Sequence, residues 1–262
     1  MPRRRLLSSS IISVSRPRPV IVCDYSFAAC LGLPRASSGS RSEIDVNRYL
    51  KSQREVLEKY PAWVQTFRAW VLLHQPTLIS LSADTVLDSI VFPDSIAPQS
   101  YGFGIPDHVP ALIKPNGSLN WFCFADGVLP RSIRGFYPLG HGGLACHSGN
   151  PSSAVPGLPG THLAIDSELR RLSVFEDVRR SSRRRLETAS DILLLGLEPT
   201  QLRESDIHLL KGLSAGRLTL VTRTPTAGGT LRNLCQLSGH CGLELGDLDS
   251  WITNRLTQWA SV

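Results

Sequence analysis

A chain of 262 residues with 42% apolar residues is long enough to bury one large core, and no run approaches the roughly 18 uninterrupted apolar residues that span a bilayer. The formal charge is +6, but Arg3, Arg4, Arg5, Arg16 and Arg18 precede the first acid, Asp24. That leaves +1 for the remainder, a balance that disfavours a nucleic-acid-binding core. Six cysteines without a Cys-x-x-Cys pair fit a reduced, cytoplasmic setting.

Residues 1–19, MPRRRLLSSSIISVSRPRP, read as a disordered basic arm, and the same composition suits an organellar transit segment. Order is expected from the β-branched run Val20–Cys23, followed by a helix through Phe27, Ala28 and Leu31 that stops at Gly32 and Pro34. Residues 35–75 form a helical insertion, with a Ser/Gly/Arg loop, a helix near 43–59 and a second from Pro61 to Leu73. In that second helix Trp63, Phe67, Trp70 and Val71 share one face and read as core packing. A strand over Thr77–Ser82 runs into a helix from Asp84 to Ile90, and prolines and glycines make 91–110 loop-like. The stretch Ala111–Trp121, ALIKPNGSLNW, reads as a buried strand whose Pro/Asn/Gly/Ser cluster delivers polar residues onto a loop.

Residues 127–160 are Gly/Pro/Ser-rich and are expected to form a loop-rich insertion, a surface excursion or an ordered lid. Helical spacing returns over 166–190, with the arginine run at 179–185 outside the apolar side and paired with Glu176, Asp177 and Glu187. A strand over Ile192–Leu195, a helix over Asp206–Leu213, a strand over Leu218–Thr222 and a closing helix with Trp251, Ile252, Leu256 and Trp259 follow. Strands alternating with helices imply a parallel sheet covered on both faces.

Ligands of such sheets sit at the carboxyl ends of the strands, so the residues there carry the chemistry. They are VIVCDYSFAACLGLP, with Asp24 placed as a helix cap before Ser26; LISLSADTVLD, with Ser80, Ser82 and Asp84; ALIKPNGSLNW; and DILLLGLEPTQLRESD, with Gly196, Glu198, Pro199 and Asp206. In this order they resemble four segments of the sirtuins and SIR2-like NAD hydrolases. The resemblance implies an α/β fold, a Rossmann-like doubly wound parallel sheet (the SIR2/DHS-like NAD-binding fold) over residues 20–262 with a small, mostly helical subdomain.

Each segment departs from the family pattern at a ligand group. Cys23, Asp24 and Tyr25 replace the Gly-Ala-Gly of the phosphate turn, while Ser26, Gly32, Leu33 and Pro34 keep its frame. Ser82 replaces the asparagine of Thr-x-Asn-Tyr-Asp, and Asp84 is retained. Asn116 stands at the catalytic histidine of Leu-His-Gly-Ser, ahead of matching Gly117, Ser118, Asn120 and Trp121. Glu198 replaces the serine that follows the matching Gly196. An amide cannot take a proton near neutral pH, and carboxylates repel a dinucleotide's phosphates.

The resemblance therefore implies a degenerate pocket, with Asn116 and Asp84 at the old catalytic centre. Asp24, Tyr25, Ser26, Ser82, Gly117, Ser118, Gly196 and Glu198 line the cofactor side. No cofactor is required, and residual NAD or ADP-ribose binding is compatible with the pattern. The expected role is a non-catalytic interaction or regulatory module with a protein partner or as a homo-oligomer, without nucleic acid or membrane, in an antiviral defence assembly. The alternatives are a divergent NAD+ hydrolase and a sensor that binds NAD or ADP-ribose. Cys146 and His147 with His141, and Cys235 with His240 and Cys241, offer zinc-type donors, but adjacent donors splay apart and no metal site is expected.

Overall fold

Two aliphatic runs, β1 (Val20–Cys23) and β8 (Asp191–Leu195), lie side by side at the centre of a six-stranded parallel sheet, with Val20 opposite Ile192 and Cys23 opposite Leu195. Both are too apolar for a half-exposed strand and are buried on both faces. The computed structural model describes residues 18–24, 26–33, 51–53, 55–56, 59, 61–92, 101, 112–124, 136–138, 144–147, 161–165, 173–237 and 240–259. With β2 (Thr77–Ser80), β3 (Leu112–Ile113), β9 (Arg217–Thr222) and β10 (Cys241–Leu245), the sheet order is β10-β9-β8-β1-β2-β3. The chain winds outward from β1 through β2 to β3, then returns and winds the other way from β8 to β10. This is the doubly wound Rossmann-like order, with the winding reversing between β1 and β8.

Helices α1 (Ser26–Cys30), α2 (Ala62–His74), α3 (Val86–Val91), α4 (Ser173–Thr188), α5 (Glu204–Leu210), α6 (Pro225–Cys235) and α7 (Leu248–Trp259) accompany the sheet. The aromatic face of α2 is core: Phe27 packs edge-on against Trp63 and Phe67 at 5.7 and 5.0 Å, and Trp70 meets Trp259 of α7 at 6.1 Å. On α4 the ion pairs are Arg180–Asp177 at 3.0 Å and Arg183–Glu187 at 2.7 Å. Arg183 also donates to the carbonyls of Leu209 and Lys211, satisfying the end of α5.

The sequence reading does not include α6 or β10, nor the strand Thr161–Ile165. Gly228 and Gly229 make PTAGGTLRNLC look like a loop, yet Thr224 caps its start by accepting the Ala227 N–H at 3.2 Å, and Pro225 opens its first turn. Gly228 is a contact requirement, since a Cβ there would sit 2.6 Å from Leu243 Cδ1. The segment 127–160, expected as a loop-rich insertion, carries two short strands among its described residues. It contributes β5 (Phe136–Pro138) and β6 (Leu144–His147) to a four-stranded antiparallel sheet, order β5-β6-β4-β7, with β4 (Gly117–Phe124) and β7 (Thr161–Ile165). Strands β5, β6 and β7 are too short to show an alternating pattern, and β4 is buried almost throughout and does not alternate.

The helix expected over 166–190 is described from Ser173, and that at 206–213 spans Glu204–Leu210. Of the 35–75 insertion, α2 and helical residues at 51–53 and 55–56 are described, while 34–50 and the arm at 1–17 lie outside the described residues. No described helix is long and apolar enough to cross a membrane.

Candidate functional site

The candidate site lies at the carboxyl ends of β1, β2, β3 and β8, where strands buried on both faces give way to polar residues. Asp24 follows β1 and is buried, and its Oδ2 accepts the Glu198 N–H at 3.1 Å. Because β1 and β8 flank the point where the winding reverses, this bond spans the crevice in which such folds receive a phosphate. The carboxylate anticipated as a cap for α1 thus reaches across to the loop after β8. Tyr25 and the side chain of Ser26 lie outside the described residues; Ser26 opens α1.

Asn116 is placed by a tight turn between β3 and β4. Pro115 fixes the second position of Lys114-Pro115-Asn116-Gly117, the Gly117 N–H donates to the Lys114 carbonyl at 3.0 Å, and Gly117 takes a left-handed φ of 77° that favours glycine. The buried amide then donates to the Leu81 carbonyl and to Asp206 Oδ1, each at 2.8 Å. Asp206 also accepts the Arg203 N–H at 3.0 Å, capping α5. The side chain at the expected catalytic position is therefore a structural clamp joining the ends of β2 and β3 to α5. Asn116 Oδ1 and Ser118 Oγ are buried and have no hydrogen-bond partner among the described residues.

Asp84 sits beneath this clamp. Ser82 Oγ donates to its Oδ2, and the Val86 N–H donates to its Oδ1 at 2.9 Å, opening α3. Burial pushes its carboxyl above the ordinary carboxylate range, opposed by the nearby Lys114 ammonium and by the Ser82 and Val86 donors. With the folded value raised, its contribution to stability is full below the unfolded value near 3.8 and declines as pH rises through the folded value.

Lys114 carries the largest group missed by the sequence reading. Its ammonium is fully buried, donating to the Asp84 main-chain carbonyl and, at 2.8 Å, to the equally buried Asp88. Tyr101 donates its hydroxyl to Asp88 and accepts from Asn120 Nδ2 at 2.8 Å, while its ring packs edge-on against Trp121. Burial and the Asp88 carboxylate hold the Tyr101 phenol well above its usual range, so it stays a donor. A lysine inside an apolar run and an aspartate on a largely apolar helix were the available signal: two opposite charges at core positions need each other.

Beyond the Asp24 bridge the carboxyl ends remain open. A cavity of about 300 Å3 is lined by Gly196, Glu198, Gln201, Arg223, Gly246 and Leu248, among others, at the ends of β8, β9 and β10. Gly196 takes a φ of 68° that lets the chain turn into it. Arg223, paired with Asp247 at 3.3 Å, brings a cation into this wall that the sequence reading did not single out. The structure thus gathers Asp24, Ser82, Asp84, Asn116, Gly117, Ser118, Gly196 and Glu198 around the ends of adjacent strands.

Among the described residues no group of His, Cys, Asp and Glu side chains has the arrangement of a metal site. Burial pushes the Cys146 thiol up to about 12 and that of Cys235 up to about 11, and raises fully buried Cys23 strongly. Iodoacetamide at about pH 8 is expected to leave these three unmodified in the native chain, with Cys30 and Cys123 reacting first, as peptide mass mapping checks.

Neither a protein-family model nor a curated protein matches the chain. Among solved structures it is similar to Sir2 with a p53 peptide and NAD+ (11% identity, 94% of each chain covered, TM-score 0.48). It is also similar to Sir2 bound to an acetylated peptide (12% identity, 94% of each chain, TM-score 0.47). A third is an Asn-for-His mutant of a Sir2 homologue in complex with ADP-ribose (14% identity, 93% of this chain and 92% of that one, TM-score 0.48).

Proposed function

We propose that this chain is a SIR2-like scaffold that does not cleave NAD and acts as an interaction or regulatory module, with an antiviral defence assembly as the setting its motif resemblance suggests. One observation carries the reading. At the position where the resemblance calls for a general base, Asn116 offers an amide whose N–H groups are tied to Leu81 and Asp206. It cannot take a proton, so the roughly 10²- to 10⁴-fold contribution of a general base is missing. Asp24 adds a carboxylate across the crevice at the place a diphosphate would dock, held by the Glu198 N–H that would otherwise face such an anion.

A second reading has one observation in its favour. The 300 Å3 cavity beside the bridge remains open and carries Arg223, which suits a sensor that holds NAD or ADP-ribose without breaking it. Calorimetric titration with NAD and with ADP-ribose, alongside an assay of nicotinamide release, separates the possibilities. The scaffold reading expects no release and no binding by the native chain. The sensor reading expects saturable binding without release, strengthened about tenfold or more in Asp24→Gly as the repelling charge leaves. Release of nicotinamide that disappears in Asp84→Asn would overturn both.

A further inference from the structure

Outside the crevice, a groove of about 640 Å3 runs between α7 and the strands β9 and β10, a size within the range of ligand sites. The register shows why side chains leave it unfilled. Gly242 pairs with Thr219 and Glu244 with Val221, so these four residues face one side of the sheet. That side carries α7, because Trp259 Nε1 donates to Thr219 Oγ1 at 3.1 Å and Trp251 Nε1 to Glu244 Oε2 at 2.6 Å. Toward the helix β10 thus presents one side chain, Glu244, beside a bare Gly242, where an added Cβ would meet nothing nearer than the Leu218 carbonyl at 3.7 Å.

The groove holds two charges of opposite sign, each fixed by a tryptophan. Arg217, at the start of β9, lies 4.7 Å over the Trp259 ring and pairs through Nε with Asp191 at 2.7 Å, which leaves its Nη groups able to take a carboxylate. Glu244, near the end of β10, is held by the Trp251 indole N–H. Arg255, one helical turn from each tryptophan, adds a second cation. From Trp251 to Trp259 is about 12 Å of helix, and from Arg217 to Val221, the partner of Glu244, is about 13 Å of strand. The two measures agree, and they put Arg217 and Glu244 at opposite ends of the groove, too far apart to neutralise each other.

We propose that this groove binds an extended peptide segment of a partner protein, with an acidic side chain toward Arg217 and a basic one, three residues along, toward Glu244. Three extended residues span about 10 Å, and the reach of the side chains covers the rest. A free amino acid carries its two charges on either side of one carbon and cannot reach both ends. A polyanion would meet Glu244, and a polycation would meet Arg217 and Arg255, so the lining selects a segment of mixed sign. Asn254 and Gln258 line the α7 wall with amide groups that suit a peptide backbone. The groove shares no charged residue with the 300 Å3 cavity, so it is independent of the crevice reading.

The probe is the end-blocked tetrapeptide Lys-Ala-Ala-Glu, with Lys-Ala-Ala-Lys and Glu-Ala-Ala-Glu as like-charged controls. Each is titrated into the isotope-labelled full chain and read by NMR at the indole N–H resonances of Trp251 and Trp259. Saturable shifts with a Kd below about 1 mM are expected for Lys-Ala-Ala-Glu, with both controls at least about tenfold weaker. Glu244→Gln keeps an acceptor for the Trp251 indole and removes the charge, while Arg255→Glu reverses an exposed cation. Each is expected to weaken binding at least about tenfold. No shift at about 5 mM Lys-Ala-Ala-Glu, equal affinity for the three peptides, or binding unchanged in either variant overturns the proposal.

Discussion

Lys114→Met is expected to cost about 3–5 kcal/mol of stability, the penalty for leaving a buried carboxylate without its cation. The lost partner is Asp88, which is fully buried at 2.8 Å and retains only the Tyr101 hydroxyl among its described bonds. The lost donor also frees the Asp84 main-chain carbonyl. For a chain of this size the loss corresponds to a fall in Tm of roughly 10 °C, read by thermal denaturation. The double variant Lys114→Met with Asp88→Leu is expected to recover part of the loss, because removing both charges takes away the unpaired one. A Tm within about 2 °C of the native value for Lys114→Met would show that the pair is not buried as described.

Asp206→Ala is the second large effect, at about 2–4 kcal/mol. Its carboxylate accepts from Asn116 at 2.8 Å and from the Arg203 N–H at 3.0 Å, so one truncation removes both the clamp on the strand ends and the cap of α5. Asp206→Asn keeps an acceptor for one of the two and is expected to lose about half as much. Denaturant unfolding gives both numbers, and equal losses for Ala and Asn would show that charge, not bonding, is what position 206 supplies.

The parallel sheet was legible because Val20–Cys23, Thr77–Ser80 and Ile192–Leu195 are aliphatic runs bounded by polar residues, and that pattern has few other readings. The site was legible in its residues and illegible in its bonds. That Asn116 replaces a base can be read from ALIKPNGSLNW, but its attachment to Asp206, 90 positions away, cannot. Asp24 shows the same limit. Its neighbours in sequence suggest a local cap, and only the adjacency of β1 and β8 places the Glu198 N–H within reach. Lys114 and Asp88 were visible as charges at apolar positions; their pairing depends on the turn at Pro115 and on α3, which lie 26 positions apart. The antiparallel sheet escaped because β5 and β6 are short and β4 does not alternate.

The chain passes from one sheet to the other through the turn at Pro115, with β3 on one side and β4 on the other. Lys114 and Asn120 stand on opposite sides of that turn, and both feed the same cluster around Asp88 and Tyr101 on the α3 side. Frayed separately, either layer would strip polar groups from the other's interior. The two layers are therefore one cooperative unit: β4 cannot open without exposing the seat of α3, and local melting of the smaller layer carries the free-energy cost of the larger one.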